Sequence, residues 1–93
     1  MRKRYGVDAN QAAIVRALEA FGATVLVLAG VGDGAPDLLV GFRGQNYLLE
    51  VKALGEEPRA NQVEWHGRWK GKPVAVVYDI GDALRAVGAV VAA

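Results

Sequence analysis

The sequence predicts an α/β fold: one small mixed β-sheet flanked by helices, with elements in the order α-β-β-β-α-β-α. Three observations lead there. Four short runs, Thr24 to Ala29, Asp37 to Phe42, Tyr47 to Lys52 and Val74 to Tyr78, are apolar and rich in β-branched or aromatic residues, as strands are. Between the second and third runs stands only Arg43-Gly44-Gln45-Asn46, which suits a hairpin. The remaining long segments space their apolar residues at helical intervals.

In chain order, Asp8 followed by Gln11 has the spacing of a capping box and predicts a helix starting there. Ile14, Leu18 and Phe21, supported by Val15 and Ala17, form its apolar stripe, and Gly22 ends it. The strand Thr24 to Ala29 is expected to be covered on both faces. A flexible loop follows through Gly30, Gly32, Asp33, Gly34 and Ala35. It has glycines but lacks the Gly-Lys-Ser/Thr of a phosphate-binding loop, so its glycines suit tight turning and close approach. After the hairpin, Ala53 to Arg59 is a loop. Asn61 to Trp69 is a helix with Ala60-Asn61 as its cap and Val63, Trp65, His66 and Trp69 on a broad apolar side. Val74 to Tyr78 is a buried strand, and Asp79 or Asp82 caps a last helix carrying Leu84, Val87 and Val91. A crossover helix between the third and fourth strands allows that pair to be parallel.

The 93 residues fit a single domain, whose small core stands to gain from a partner subunit. No cysteine is present, which excludes disulfides and thiolate metal sites and suits an intracellular, cytoplasmic protein. No apolar run approaches the roughly 18 residues of a membrane span, and Arg2-Lys3-Arg4 leads into no apolar stretch, so membrane and signal-peptide readings fail. The formal net charge of +1 offers no bulk argument for nucleic acid. Local clusters do: Arg2, Lys3 and Arg4 at the start, and Arg59, Arg68, Lys70 and Lys72 against Glu64 alone, are candidate phosphate contacts, with a solvated surface as the alternative.

The chemistry concentrates in Pro36-Asp37, Glu50-Val51-Lys52 and Gln62. If the hairpin closes through a four-residue loop, Phe42 faces Tyr47, Leu39 faces Glu50 and Asp37 faces Lys52. Period-two alternation then puts Asp37, Leu39, Glu50 and Lys52 on one face and the apolar Tyr47, Leu49 and Val51 on the other. Carboxylates so placed suit a hard cation, Mg²⁺ or Mn²⁺, which binds through one or two acids plus substrate phosphate. Asp37, Glu50 and the carbonyl of Val51 are the candidate metal ligands. Lys52 is the candidate for orienting or deprotonating water and offsetting charge on a phosphorane, and Gln62 for hydrogen bonding beside the metal. The alternative is an ordinary ion pair of Lys52 with Glu50 or Asp37 at a half-exposed sheet edge. Trp65 and Trp69, four apart, are expected as core or interface anchors rather than base-stacking platforms. His66, without a His or Cys partner by spacing, is expected in packing or substrate contact rather than ligation.

Gly34-Ala35-Pro36-Asp37-Leu38, Glu50-Val51-Lys52 and Gln62-Val63-Glu64-Trp65 together resemble the small VRR-NUC-type members of the PD-(D/E)XK nuclease superfamily, including phage-borne versions. The resemblance runs from Asp8 to about Leu84. It implies a restriction-endonuclease-like core and a metal-dependent endonuclease acting on DNA in the cytoplasm. It also implies similarity to Holliday junction resolvases that work as homodimers. Asp37 and Glu50 match the metal-binding acids, Lys52 the active-site lysine and Gln62 the glutamine after the sheet. The family commonly adds an acid from the first helix; here Gln11 stands where that acid is expected, able to contact bound water but bringing no charge. Two other functions stay open: a non-cleaving nucleic-acid-binding or assembly module on the same fold, and a structural oligomer joined through Trp65 and Trp69.

Overall fold

The computed structural model describes residues 5–28 and 30–89, with side chains from residue 9 onward. Its elements are α1 (Tyr5–Ala20), β1 (Thr24–Val27), β2 (Leu38–Phe42), β3 (Gln45–Val51), α2 (Ala60–Arg68), β4 (Ala75–Val77) and α3 (Ile80–Ala86). This is the order the sequence predicts. Arg2, Lys3, Arg4 and Val91 lie outside the described residues, as does Ala29 at the expected end of the first strand.

The strands form one mixed sheet in the order β1-β2-β3-β4, antiparallel through β1, β2 and β3 and parallel between β3 and β4. Alternation along β2 and β3 sends Leu38, Val40, Phe42, Leu49 and Val51 into the core, where they meet Ile14 and Leu18 of α1 and Leu84 of α3, with Val87 just beyond that helix. Leu38, Val40, Leu49, Val51, Ile14 and Leu18 have no exposed surface at all. The other face of the same strands carries Asp37, Leu39, Leu48, Glu50 and Lys52, and α2 lies against it.

Several local expectations need correction. Helix α1 begins at Tyr5, so Asp8 lies within its first turns rather than capping it. Phe21 follows the helix and is half exposed instead of continuing the stripe. Strand β1 is an edge strand, paired among the described residues with β2 alone: Leu26, on the face of Leu39, is exposed because α2 does not reach over it, Val27 is exposed on the other face, and Val25 alone of its side chains packs on the core. Helix α2 starts one residue early, with Arg59 as its N-cap. Its broad apolar side is narrower than expected: Val63 is 58% and Trp69 44% exposed, and the buried residue is Gln62.

The hairpin turn is two residues, not four. Arg43 (φ 50°) and Gly44 (φ 80°) both occupy the left-handed region, the backbone of a type I′ turn whose twist matches that of the flanking strands. Phe42 consequently pairs with Gln45 and Leu39 with Leu48, and the same register continued puts Asp37 opposite Glu50 rather than Lys52. The displacement of two positions preserves parity, so the face assignment of every side chain survives the change of partner.

Candidate active site

Asp37 stands just ahead of β2, its backbone tied to both neighbouring strands. Its N–H donates to the Leu49 carbonyl at 3.1 Å, and its own carbonyl accepts from Leu28 at 2.8 Å. The preceding Gly34 is what lets this segment reach α2. A side chain there would run into the Asn61 carbonyl oxygen and stand 2.7 Å from the carbonyl carbon, at a φ of +87° that L-residues seldom adopt. The Asp37 carboxylate is oriented by one strong contact: Oδ2 accepts the backbone N–H of Val51 at 2.8 Å. It is half-buried and borders a cleft of about 200 Å³ lined by the glycine loop, Pro36, Arg59 and Gln62.

Glu50 sits on β3 between two paired neighbours and Lys52 just past its end, and both side chains are enclosed, 1% and 2% exposed. The half-exposed edge pair considered from sequence is therefore ruled out: Lys52 Nζ stands 3.6 Å from Glu50 Oε2, but deep in the structure, where charges are costly to bury. Glu50 Oε2 also accepts from Gln62 Nε2 at 2.8 Å. Gln62 is the third residue of α2, and its own oxygen accepts the Arg59 N–H at the helix start at 2.7 Å, the backward half of a capping box. One amide thus closes a helix terminus with its oxygen and steadies a buried acid with its nitrogen, and the two partners together fix which way it faces.

Burial pushes the Glu50 carboxyl up to about 7; the charge of Asp37 adds to the rise and Lys52 opposes it. His66, one turn along α2 from Gln62, brings Nε2 to 3.6 Å from Glu50 Oε1. Burial, helped by the Lys52 charge, lowers the His66 pKa below its ordinary value, so the ring is neutral at pH 7 and this contact is not an ion pair. Glu50 Oε1 and His66 Nε2 are both buried and, among the described residues, neither has a hydrogen-bond partner. A buried carboxylate oxygen left without a donor, with a second carboxylate nearby, is a place where a cation or a proton is stabilised. The oxygen-rich donor set of Asp37, Glu50 and the Val51 carbonyl fits a hard divalent ion. No three His, Cys, Asp or Glu side chains among the described residues converge as a ready-made cluster, so substrate oxygens would have to complete the coordination.

The other residues singled out from sequence fall at different distances from this centre. Gln11 is half-buried on α1 and, among the described residues, donates to none of these groups. The residue before it does more. Asn10 Nδ2 donates to the Tyr78 carbonyl at 2.8 Å and approaches the Lys52 carbonyl at 3.5 Å, joining α1 to the chain just past β3 and β4. Nothing in the local pattern marks Asn10, since its partners are 42 and 68 residues away. Arg59 is exposed on the rim of the cleft. Arg68, Lys70 and Lys72 are exposed at the far end of α2, where Lys72 Nζ donates to Gln45 Oε1 at 2.7 Å. No helix among the described residues is long and apolar enough to cross a membrane.

The sequence matches no protein-family model and no curated protein. Two chains of solved structures match it. One of them, a VRR_NUC domain, superposes with a TM-score of 0.72 and is 30% identical, over 89% of this chain and 95% of its own.

Proposed function

Because this chain belongs to the VRR_NUC domain family, we propose that it is a nuclease, and specifically a Mg²⁺- or Mn²⁺-dependent endonuclease that hydrolyses phosphodiester bonds in DNA at Asp37, Glu50 and Lys52. The observation that carries this reading is the buried Glu50, fixed through one oxygen by Gln62 and Lys52 while the other has no donor among the described residues, with Asp37 across the hairpin. Asp37, Glu50 and the Val51 carbonyl would hold the cation. When bound, the cation supplies positive charge against the phosphate and makes water more acidic.

The chain's own residues do the rest. Val51 N–H keeps Asp37 turned toward β3, and Gln62 keeps Glu50 from rotating. Lys52, held beside Glu50 in a water-poor setting, orients the attacking water or takes its proton, and its ammonium offsets the charge that grows on the phosphoryl oxygens. Arg59 at the cleft rim, and the exposed Arg68, Lys70 and Lys72 at the far end of α2, would grip flanking phosphates. Resemblance to the small resolvase-like, phage-borne members extends the proposal to branched DNA and to a homodimer acting in the cytoplasm, in which two sites cut two strands symmetrically.

The test is cleavage of a labelled four-way junction, a duplex and a single strand in Mg²⁺ by the parent and by Asp37→Ala and Lys52→Ala. Loss of at least about 100-fold in either variant is expected, the scale at which removing one transition-state contact registers. Unchanged cleavage would remove these residues from the reaction. A second reading, a non-cleaving DNA-binding module, draws on Gln11 bringing no charge from α1. Metal-independent binding that never yields product in the same assay would favour it.

A further inference from the structure

A cavity of about 490 Å³ lies apart from the one beside Asp37. It opens at the other end of α2 and is lined by Leu39, Leu48, Asn46, Trp69, Gly71 and Lys72 among others. Leu39 and Leu48 are a directly paired couple, and they lie on the same sheet face as Asp37 and Glu50, two residues along each strand. At a rise of about 3.4 Å per residue, that puts the apolar floor about 7 Å from the carboxylates.

The wall is Trp69. Its indole stacks on that of Trp65 with centroids 5.0 Å apart and planes at 15°, and Trp65 meets His66 edge-on at 6.4 Å. An aromatic series therefore runs from the residue touching Glu50 to the cavity, where Trp69 remains 44% exposed. Gly71 keeps the indole there: a Cβ at that position would stand 2.7 Å from Trp69 Nε1, too close for the ring to stay. At the rim, Lys72 Nζ lies over the Tyr47 ring at 4.2 Å while bonded to Gln45, both side chains of the opposite sheet face, so the cation is held at the edge of the cavity.

We propose that this cavity is a subsite for an unpaired nucleobase of the strand whose phosphate lies at Asp37 and Glu50, with the base stacked on Trp69 over Leu39 and Leu48 and its phosphate facing Lys72. The inference rests on the nuclease reading and deepens it, selecting substrates with unpaired nucleotides next to the cut. The Leu39–Leu48 floor is continuous with the acids along one sheet face, and the cation at the rim complements a phosphodiester chain. Every base offers a π-face, so the subsite is tolerant of sequence.

The experiment is binding of an eight-nucleotide oligothymidylate and of a blunt duplex, with EDTA present so that nothing is cleaved, followed by tryptophan fluorescence and by anisotropy of a labelled strand. The parent is expected to bind the single strand with quenching of indole emission. Trp69→Ala should weaken that binding about tenfold or more while affecting the duplex less, and Trp69→Phe should restore most of it. Circular dichroism of both variants verifies their folding. Single-strand binding within twofold of the parent in Trp69→Ala overturns the subsite, as does absence of oligonucleotide binding by the parent. A Trp69→Ala variant that loses self-association in sedimentation yet binds DNA as before makes the cavity a contact between copies and likewise overturns it. Because binding is read without cleavage, these outcomes are independent of whether Asp37→Ala abolishes hydrolysis.

Discussion

Glu50 is the residue at which stability and the proposed chemistry oppose each other. Its carboxyl, about 7 in the fold against an ordinary value of 4.5, binds a proton more tightly folded than unfolded. Its contribution to stability is therefore complete below pH 4.5 and is lost as the pH rises through 7, a difference of roughly 3 kcal/mol. Glu50→Gln keeps the shape and the Gln62 partner but cannot ionise. Urea denaturation in EDTA at several pH values should show the parent weakening between pH 5 and 8 relative to Glu50→Gln, and the variant more stable at the upper end. Parallel curves for the two proteins would mean that the carboxylate is not strained in the fold. The same substitution should abolish cleavage, so that stability rises where function is lost. Asp37, Glu50 and Lys52 were visible in the sequence because charges in short apolar strands are conspicuous. His66 was not, since its nearness to Glu50 follows from where α2 docks and not from any spacing along the chain.

Among the elements, the hairpin shows how much a pattern can determine without determining everything. The period-two alternation of β2 and β3 assigned each side chain to its face, and the assignment held although the turn was two residues shorter than expected. Turn chemistry is a weaker signal: Arg43 in a left-handed conformation is an uncommon choice, and its guanidinium lies over the Phe42 ring at 4.7 Å. The exposure of β1 was hidden for another reason, because a β-branched run reads alike at an edge and at a centre until its neighbours are known. Between elements, the tightest dependence is Gly34 against the start of α2. Gly34→Ala has to move either the loop or the helix and adopt an unfavourable φ, so chemical denaturation should register a loss of about 1 to 3 kcal/mol. A matched Gly55→Ala, also at positive φ (+89°) but in open space, should lose less. Equal losses would reduce the Gly34 effect to backbone strain alone.

For the molecule as a whole, the two faces of the sheet stand differently toward the proposed cation and substrate. The inner sheet face packs with α1 and α3 into the apolar core, whereas the opposite face holds two acids to which Gln11 would add no charge for the proposed metal. Calorimetric titration should accordingly find Mn²⁺ binding weak in the free protein and stronger when uncleavable DNA supplies phosphate oxygens. Tight binding to the free protein would show that Asp37 and Glu50 suffice. Helix α2 belongs to this second face. At the backbone it approaches the sheet less closely than α1 or α3 does, and the polar contact that fastens its first turn there is Gln62 on Glu50. Whatever changes the charge on that acid therefore also changes the anchor of a helix bearing, at its far end, the exposed Trp69. The acid's partner and the exposed indole are thereby carried by one helix, Gln62 in its first turn and Trp69 at its C-cap.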